Sequence, residues 1–559
     1  MTDDVRVAER ALMDRLPDGA LMGRAAAGLA SVCATLLGQV YGARIAILAG
    51  SGDNGGDALF AGAILARRGA AVTAIAASDR IHEAGAAELR GAGGRLLPAT
   101  SPDSTTGARG SAGASTGNGN TADHGDHAGG SGTPPGSHGT GGGPSTGGSH
   151  GTAGSGGADG GAARGGMSAA VADALDRADM IIDGLLGIGG RGGLREPAAT
   201  LARLTESARA EGSMVVAVDL PSGVDADTGV VGGPAIRADV TVTFGTWKPG
   251  LLIDPGASYA GTAELIDIGL APQLGPPAVS ALQAPDIAAI LPQPTAESNK
   301  YRRGVLGVLA GSQQYSGAAV LATGSAIHGG AGMVRLVSSE GVLTAARQHW
   351  PEAVMSVADP AAPAESVKTA GRVQAWTAGP GMGTGEDSAG LLAAVLATSL
   401  PVLVDADGIT ILAAHRELLD RSAPTLITPH SGELARLTGA DIDSIEARRL
   451  EHATRAADDL GVTVLLKGST TVIAEPDEQP VLVNSTGSSW LATAGSGDVL
   501  SGLAGALLAQ GIETPLAAAV AAYLHGLAGR LAARDAPIGA SDLITALPEA
   551  IRTITRTTP

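Results

Sequence analysis

Between Arg44 and Ala77 the chain passes from an apolar run (RIAILA) into the loop Gly50-Ser51-Gly52-Asp53-Asn54-Gly55-Gly56-Asp57. A helix-period segment (ALFAGAILARRG) and a second apolar run (AVTAIAA) follow. Strand, glycine loop, helix and strand make a βαβ unit, and such a unit commits the chain to a parallel sheet. No feature elsewhere narrows the fold as much.

The same alternation resumes at 167 with a helix to about 178, a strand over Asp179–Asp183 and the loop GLLGIGGRGG. Next come a helix, the strand MVVAVDL ending in Pro221-Ser222-Gly223, and strands over Val240–Phe244 and Ala263–Ile268. From about 100 to 166 the residues are Gly, Ser, Thr, His and Asp with almost no apolar side chains. Such a stretch buries too little surface to offset its ordering entropy, so a disordered insertion within one domain, 1–270, is expected. It holds His124, His127, His138 and His150, four of the 11 histidines, at spacings too irregular to suggest a metal site. Residues 271–294, rich in Pro and Ala, read as a linker into a second α/β domain, 295–559. There strands over Val305–Ala310 and others end in the turns WTAGPGMG, VLVDAD, TLITPH and VLLKG. In open α/β sheets, ligands bind beyond the carboxyl ends of strands, where these turns lie.

Of the 559 residues 44% are hydrophobic but only 2% aromatic, so Ala, Val and Leu must fill the cores. A net charge of −18 argues against nucleic acid or an anionic membrane as partner. Cys33, the one cysteine, has no partner for a disulfide and reads as a buried thiol. The N-terminus shows no apolar signal core and no run suggests a membrane span, so a cytoplasmic protein is expected.

In the first half, Gly50-x-Gly52-x-x-Gly55 after a strand matches a dinucleotide fingerprint, with Asp79 placed for a ribose contact. Taken alone it would suggest a Rossmann oxidoreductase. Asn54, Asp183 and Ser222 each follow a strand, and a doubly wound sheet would converge their oxygens on a hard cation. Taken singly, each is explained as well by turn or capping chemistry. AGSGDNGGD, IIDGLLGIGGRGG and VAVDLPSGVDADTG together resemble the signature segments of the YjeF N-terminal family, the NAD(P)H-hydrate epimerases. The resemblance implies a Rossmann-like, three-layer domain that interconverts the R and S hydrates of NADH and NADPH. It implies substrate contacts from Asp53, Asn54, Gly55, Gly56 and Asp57, and from Gly187, Ile188, Gly189, Gly190, Arg191, Gly192 and Gly193. It also implies a potassium ion on Asn54, Asp183 and Ser222, and Asp219 at the reacting nicotinamide. The family usually has a second asparagine and a closing glycine where this chain has Asp53 and Ala58.

In the second half, Gly495-Ser496-Gly497-Asp498 runs into the apolar helix pattern VLSGLAGALLA. Unpaired N–H groups and a positive dipole end there suit a phosphate, and an acid in that turn can deprotonate an attacking hydroxyl. A helix start merely capped by Asp498 explains the same residues by stability alone. Lys467-Gly468-Ser469-Thr470-Thr471 offers a cation with hydroxyl and amide donors, or is a lysine in a hairpin turn, and Asp405 and Asp407 suit water-mediated magnesium or merely end a strand. NKY, GSQQYSGAA, GPGMG, VDADG, TPHSGE, LLKGSTT and GSGDVLSG occur in order over 299–505. They resemble the ADP-dependent NAD(P)H-hydrate dehydratases, the YjeF C-terminal family, related to ribokinase-like kinases. That resemblance implies hydrate contacts from Ala318, Gly381, His430 and Asp498, and adenine-nucleotide contacts from Lys467 to Thr471 and Gly497. It also implies magnesium, ADP as co-substrate, NADHX and NADPHX as substrates, and a homo-oligomer. The rivals are a ribokinase-like small-molecule kinase, a Rossmann oxidoreductase from the first half, and a first half that serves only as a dimerisation or ligand-binding module.

Overall fold

The computed structural model describes residues 1–100, 167–477 and 480–557. The disorder expected of the insertion therefore lies outside the described residues, save at its edge. Thr100 and Met167 form an antiparallel bridge, so the segment leaves and re-enters at one point of the first sheet.

Seven strands build that sheet among the described residues: β1 (Arg44–Ala49), β2 (Ala71–Ala76), β3 (Arg95–Pro98), β4 (Met180–Gly184), β5 (Met214–Val218), β6 (Val240–Phe244) and β7 (Thr262–Ile266). All pairings are parallel, in the order β3-β2-β1-β4-β5-β6-β7. The helices are α1 (Thr2–Met13), α2 (Ala20–Leu37), α3 (Asp53–Arg67), α4 (Glu83–Gly91), α5 (Ala169–Asp176) and α6 (Ala198–Ala210). Along β1, Ile45 and Ile47 pack with Leu29, Leu59 and Leu89, while Ala46 and Leu48 pack with Val171, Leu175 and Leu201. A parallel strand covered on both faces must be apolar throughout, hence the unbroken RIAILA. This is the three-layer Rossmann-like arrangement. Strand order reverses between β1 and β4, which opens a crevice where their loops diverge.

The second sheet holds β8 (Val279–Ser280), β9 (Val305–Leu309), β10 (Met333–Ser338), β11 (Val354–Val357), β12 (Ala375–Ala378), β13 (Val402–Val404), β14 (Thr425–Ile427), β15 (Thr463–Leu466), β16 (Thr471–Ala474) and β17 (Val481–Asn484). The order β11-β10-β9-β12-β13-β14-β15-β16-β17-β8 reverses between β9 and β12. Strands β9 to β15 pair in parallel, and β16 runs antiparallel to both neighbours. The stretch read as a linker is structured here: β8 pairs with β17, and Ile287 of the helix Ala284–Ile290 is fully buried in the second core. Two helices, α2 and Thr514–Ala533, are long and apolar enough to cross a membrane by length and composition, against the expectation from sequence. Each contributes one face to a core, Thr514–Ala533 being 67% buried and α2 39%, and an alanine-rich, aromatic-poor core makes ordinary core helices strongly apolar. Cys33 is buried in α2, and burial pushes its thiol up to about 12.

Candidate active sites

The first site forms at the β1/β4 reversal. A Cβ on Gly55 would stand 2.2 Å from Gly50 O, and one on Gly50 2.0 Å from Leu185 O, so only glycines let these loops close together. Asn54 donates to Leu186 O (3.0 Å) and Val218 O (2.6 Å), tying the start of α3 to the ends of β4 and β5. Asp183 accepts from the Ser222 amide (2.8 Å) and hydroxyl (2.7 Å), and Leu186 N donates to Ser222 Oγ (2.9 Å). Asn54 and Ser222 thus converge on Leu186, and Asp183 joins them through Ser222 and Leu185 N. Their carbonyl, amide and hydroxyl oxygens with a single carboxylate are the chemistry a potassium ion requires. Burial pushes the Asp183 carboxyl up to about 6, against its hydrogen bonds from Ser222 and Leu185.

Asp219 ends β5 with φ 66° and is buried. Its Oδ1 accepts from Lys248 Nζ (2.5 Å), Thr243 Oγ1 (3.1 Å) and Phe244 N (3.2 Å), while Oδ2 has no partner among the described residues. Lys248 is itself 2% exposed. The sequence reading missed it, although a lysine just past a strand end (FGTWKPG) was the available signal. Asp57 is buried with Oδ1 unpartnered, and burial, then the charges of Asp219, Asp53 and Glu9, hold its carboxyl well above the usual range. Asp53 is exposed in the first turn of α3, where its charge favours the helix dipole. The other departure, Ala58, is accommodated because its neighbour is Gly184, whose Cβ would come within 2.7 Å. In the loop Gly187–Gly193, Gly187 faces the Asn54 amide, Gly193 abuts Gly233, and Arg191 is exposed with no ion-pair partner among the described residues. Asp79 lies exposed in the loop after β2.

The second site surrounds the helix Ser496–Ala509, whose cap Gly495 takes φ 87°. Burial pushes the Asp498 carboxyl up to about 7, with Asp405 and Asp407 adding and Lys467 opposing. Lys467 Nζ stands 2.7 Å from Asp405 Oδ1 and 3.6 Å from Glu433 Oε2. Burial alone disfavours that ammonium, but the carboxylates of Asp405 and Glu433 outweigh it and raise its pKa. Ser501 donates to Asp405 Oδ2 (2.6 Å), so both Asp405 oxygens are engaged, and Asp407 Oδ2 accepts from Gly383 N (2.8 Å). Only one oxygen of Asp407 is engaged among the described residues. Among the described residues no cluster of three His, Cys, Asp or Glu is arranged to hold a metal.

A cavity of about 550 Å³ is lined by Lys467, Gly468, Ser469, Thr471 and Gly497, together with Asn484 and His525. Thr470 turns inward instead, with its carbonyl near Arg449. That arginine, 2% exposed, also accepts no water-facing role: it donates to Lys467 O (2.7 Å) and so braces the loop. Burial lowers the His525 pKa to about 4, and its ring bonds Ser496 O (3.0 Å). His430 caps the helix Ser431–Thr438, Nδ1 accepting from Gly432 N (3.0 Å), which leaves Nε2 facing the site beside Glu433. Gly381 at φ 57° would set a Cβ 2.8 Å from that of Ala318, so these two residues meet. Arg449 and His525 escaped the sequence reading because the carbonyls they bond, of Lys467 and Ser496, are far away in the chain; Glu433 and Asn484 escaped it as well.

Two family models match the chain: NAD(P)H-hydrate dehydratase over 306–552, and YjeF-related protein N-terminus over 18–108 and 160–250. A bifunctional NAD(P)H-hydrate repair enzyme of Mycobacterium leprae is 42% identical over 558 residues, covering 98% of each chain. Its Mycobacterium tuberculosis counterpart is 43% identical over 523 residues, 92% of this chain and 90% of that one. A Bacillus subtilis ADP/ATP-dependent NAD(P)H-hydrate dehydratase, co-crystallised with ATP and Mg2+, is 30% identical with a TM-score of 0.45, covering 49% of this chain and 99% of its own. The chain belongs to the bifunctional NAD(P)H-hydrate repair enzymes.

Proposed function

We infer that the chain repairs hydrated nicotinamide nucleotides, its first unit epimerising R and S NAD(P)HX and its second dehydrating the S form with ADP. The two units correspond to the two sheets, the second taking in β8 and the helix Ala284–Ile290, ahead of the boundary at 295 expected from sequence. The observation that carries the reading is Asp498, a carboxyl with a pKa near 7 at a helix start, beside Lys467 and a nucleotide-sized cavity. Asp498 takes the proton of the hydrate hydroxyl as it attacks the terminal phosphoryl of ADP, and AMP departs. Amides of Gly495 to Gly497 stabilise the charge on the transferring group. Loss of phosphate with the C–O electron pair, and of a ring proton, then restores the double bond of NAD(P)H.

Lys467, Gly468, Ser469, Thr470, Thr471 and Gly497 hold the nucleotide, with Thr470 acting through its backbone. Ala318, Gly381 and His430 hold the hydrate. Magnesium would be held chiefly by the nucleotide phosphates and would offset their charge. In the first unit Asp53 to Asp57 and Gly187 to Gly193 hold substrate, and Asp219 handles the proton. Potassium on Asn54, Asp183 and Ser222 neutralises a carboxylate that is otherwise uncompensated. A cytoplasmic homo-oligomer completes the proposal.

Recovery of NADH absorbance from mixed R and S hydrates, with ADP and magnesium, tests it. Complete recovery, abolished by Asp498→Ala and slowed for the R epimer alone by Asp219→Ala, is expected. No recovery, with a phosphorylated alcohol accumulating from another substrate, would leave a kinase.

A further inference from the structure

Helix α1 has no part in the reading above, yet it lies across the first site. Thr2 anchors its start, the amide and hydroxyl donating to the two carboxylate oxygens of Asp227 (2.7 and 2.8 Å). One turn on, Arg6 donates to Ile188 O in the glycine loop (3.3 Å). Val5, Ala8 and Leu12 are buried in the first core, which fixes the rotation of the helix. Three residues beyond Arg6 on the same face, Glu9 is delivered to the same rim. Its charged neighbours come from three other elements: Asp219 at the end of β5, Lys248 after β6, and Asp53 at the start of α3. Glu9 is half-buried and makes no hydrogen bond among the described residues.

We propose that Glu9 is the second proton-transferring carboxyl of the epimerase, working opposite Asp219 on the hydroxyl-bearing carbon of the hydrate. The proposal rests on the first unit being an epimerase. Water added to a dihydronicotinamide ring leaves its hydroxyl on a carbon bonded to the ring nitrogen. Inverting that carbon requires the C–O bond to break and to re-form on the other face. Glu9 gives its proton to the departing hydroxyl, the C–O electron pair leaves with water, and the nitrogen lone pair fills the vacancy. A second water then attacks from the opposite face, the nitrogen recovers its pair, and the Asp219 carboxylate takes the surplus proton. Atoms balance: one water leaves, one adds, and one proton has passed from Glu9 to Asp219. Exchange with solvent resets the pair, and the reverse reaction exchanges their roles. A single carboxyl on one face serves only one of these two steps.

The surroundings suit a donor. Burial, then the charge of Asp219, raises the Glu9 pKa; Asp53 adds to this, and Lys248 and Arg6 oppose it. Asp57 faces the same group from α3. A carboxyl that keeps its proton closer to neutral pH is the better acid.

The full-length enzyme provides its own control, because the S epimer reports the dehydratase and the R epimer reports the epimerase. With mixed NADH hydrates, ADP and magnesium, Glu9→Gln is expected to leave the S phase within about twofold while cutting kcat of the R phase about 100-fold. Glu9→Asp should restore part of the loss. The wild-type R phase should weaken on the alkaline side as the donor titrates, and Glu9→Gln should lose that limb, which a packing defect would not remove. A wild-type kcat in Glu9→Gln, or a retained alkaline limb, overturns the proposal. If the wild type converts the R epimer no faster than buffer does, the epimerase reading falls and the role of Glu9 with it.

Discussion

At the scale of single residues, the second site depends on which groups hold protons. As the proposed base Asp498 must be a carboxylate, and its pKa of about 7 places that titration near neutral pH. With ADP saturating, kcat/KM for the S hydrate should therefore fall about tenfold per pH unit below 7 and level off above it. A pH series of initial rates reads this directly, and a profile flat from pH 5 to 8 would exclude Asp498 as the base. Lys467 is the cation that keeps Asp405 and Glu433 together. Lys467→Met should raise KM for ADP at least tenfold and, by stranding a buried carboxylate, lower stability by about 3 kcal/mol in urea titrations. In the first site, Asp57 carries the opposite lesson. Its carboxyl has a folded pKa above its unfolded one, so its contribution to stability is complete at low pH and is lost as pH climbs through the folded value. Asp57→Asn should accordingly raise Tm at pH 8 and lose that advantage at pH 4. It should also slow the R phase, because the strained carboxyl is part of the proposed substrate site.

At the scale of elements, glycines decide how closely the catalytic helix sits. On the helix Ser496–Ala509 a Cβ at Gly502 would lie 2.1 Å from the carbonyl of Ala322 in the helix Ser316–His328. That neighbour is backbone and cannot rotate away, so Gly502→Ala must push the two helices apart, at about 1–3 kcal/mol. Because Asp498 lies one turn upstream, the dehydratase rate should fall while the R-to-S exchange measured without ADP stays within twofold. Legibility from sequence follows the same geometry. The loop Gly50–Asp57 and the turn Gly495–Asp498 were readable as helix starts because glycines there run directly into an apolar helical pattern, so local pattern gives the element. The place of helix α1 was not, since nothing in TDDVRVAERALM indicates that Arg6 meets Ile188 or that Glu9 lies within electrostatic reach of Asp219. Asp219 was legible and its partner Lys248 was not, for the same reason. The stretch 271–294 misled because two residues of strand and seven of helix are too short to register against a background of proline and alanine.

At the scale of the whole molecule, the first unit touches the loop Lys467–Thr471 of the second. Ile253, from the first unit, is fully buried in a core otherwise made by the second. The next residue, Asp254, accepts hydrogen bonds from the Ser469 hydroxyl and from Thr470 N (3.1 Å). Those donors belong to the loop proposed to hold the phosphates of ADP, and a carboxylate competes with a phosphate for the same amide and hydroxyl. The two outcomes of removing it differ in sign. If Asp254 competes, Asp254→Ala frees two donors worth about 1 kcal/mol in net binding, so KM for ADP should drop about fivefold with kcat of the S phase unchanged. If instead Asp254 shapes the loop, the same substitution should raise KM, because an unrestrained loop must be ordered by the nucleotide itself. Initial rates across an ADP series at fixed S hydrate separate the two. The competitive geometry favours the first, because both bonds run from nucleotide-loop donors to one anionic group. A drop in KM would further mean that docking of the epimerase unit and binding of ADP oppose each other. By reciprocity, ADP should then loosen the contact at Asp254, which protease sensitivity around Pro255 with and without ADP would register.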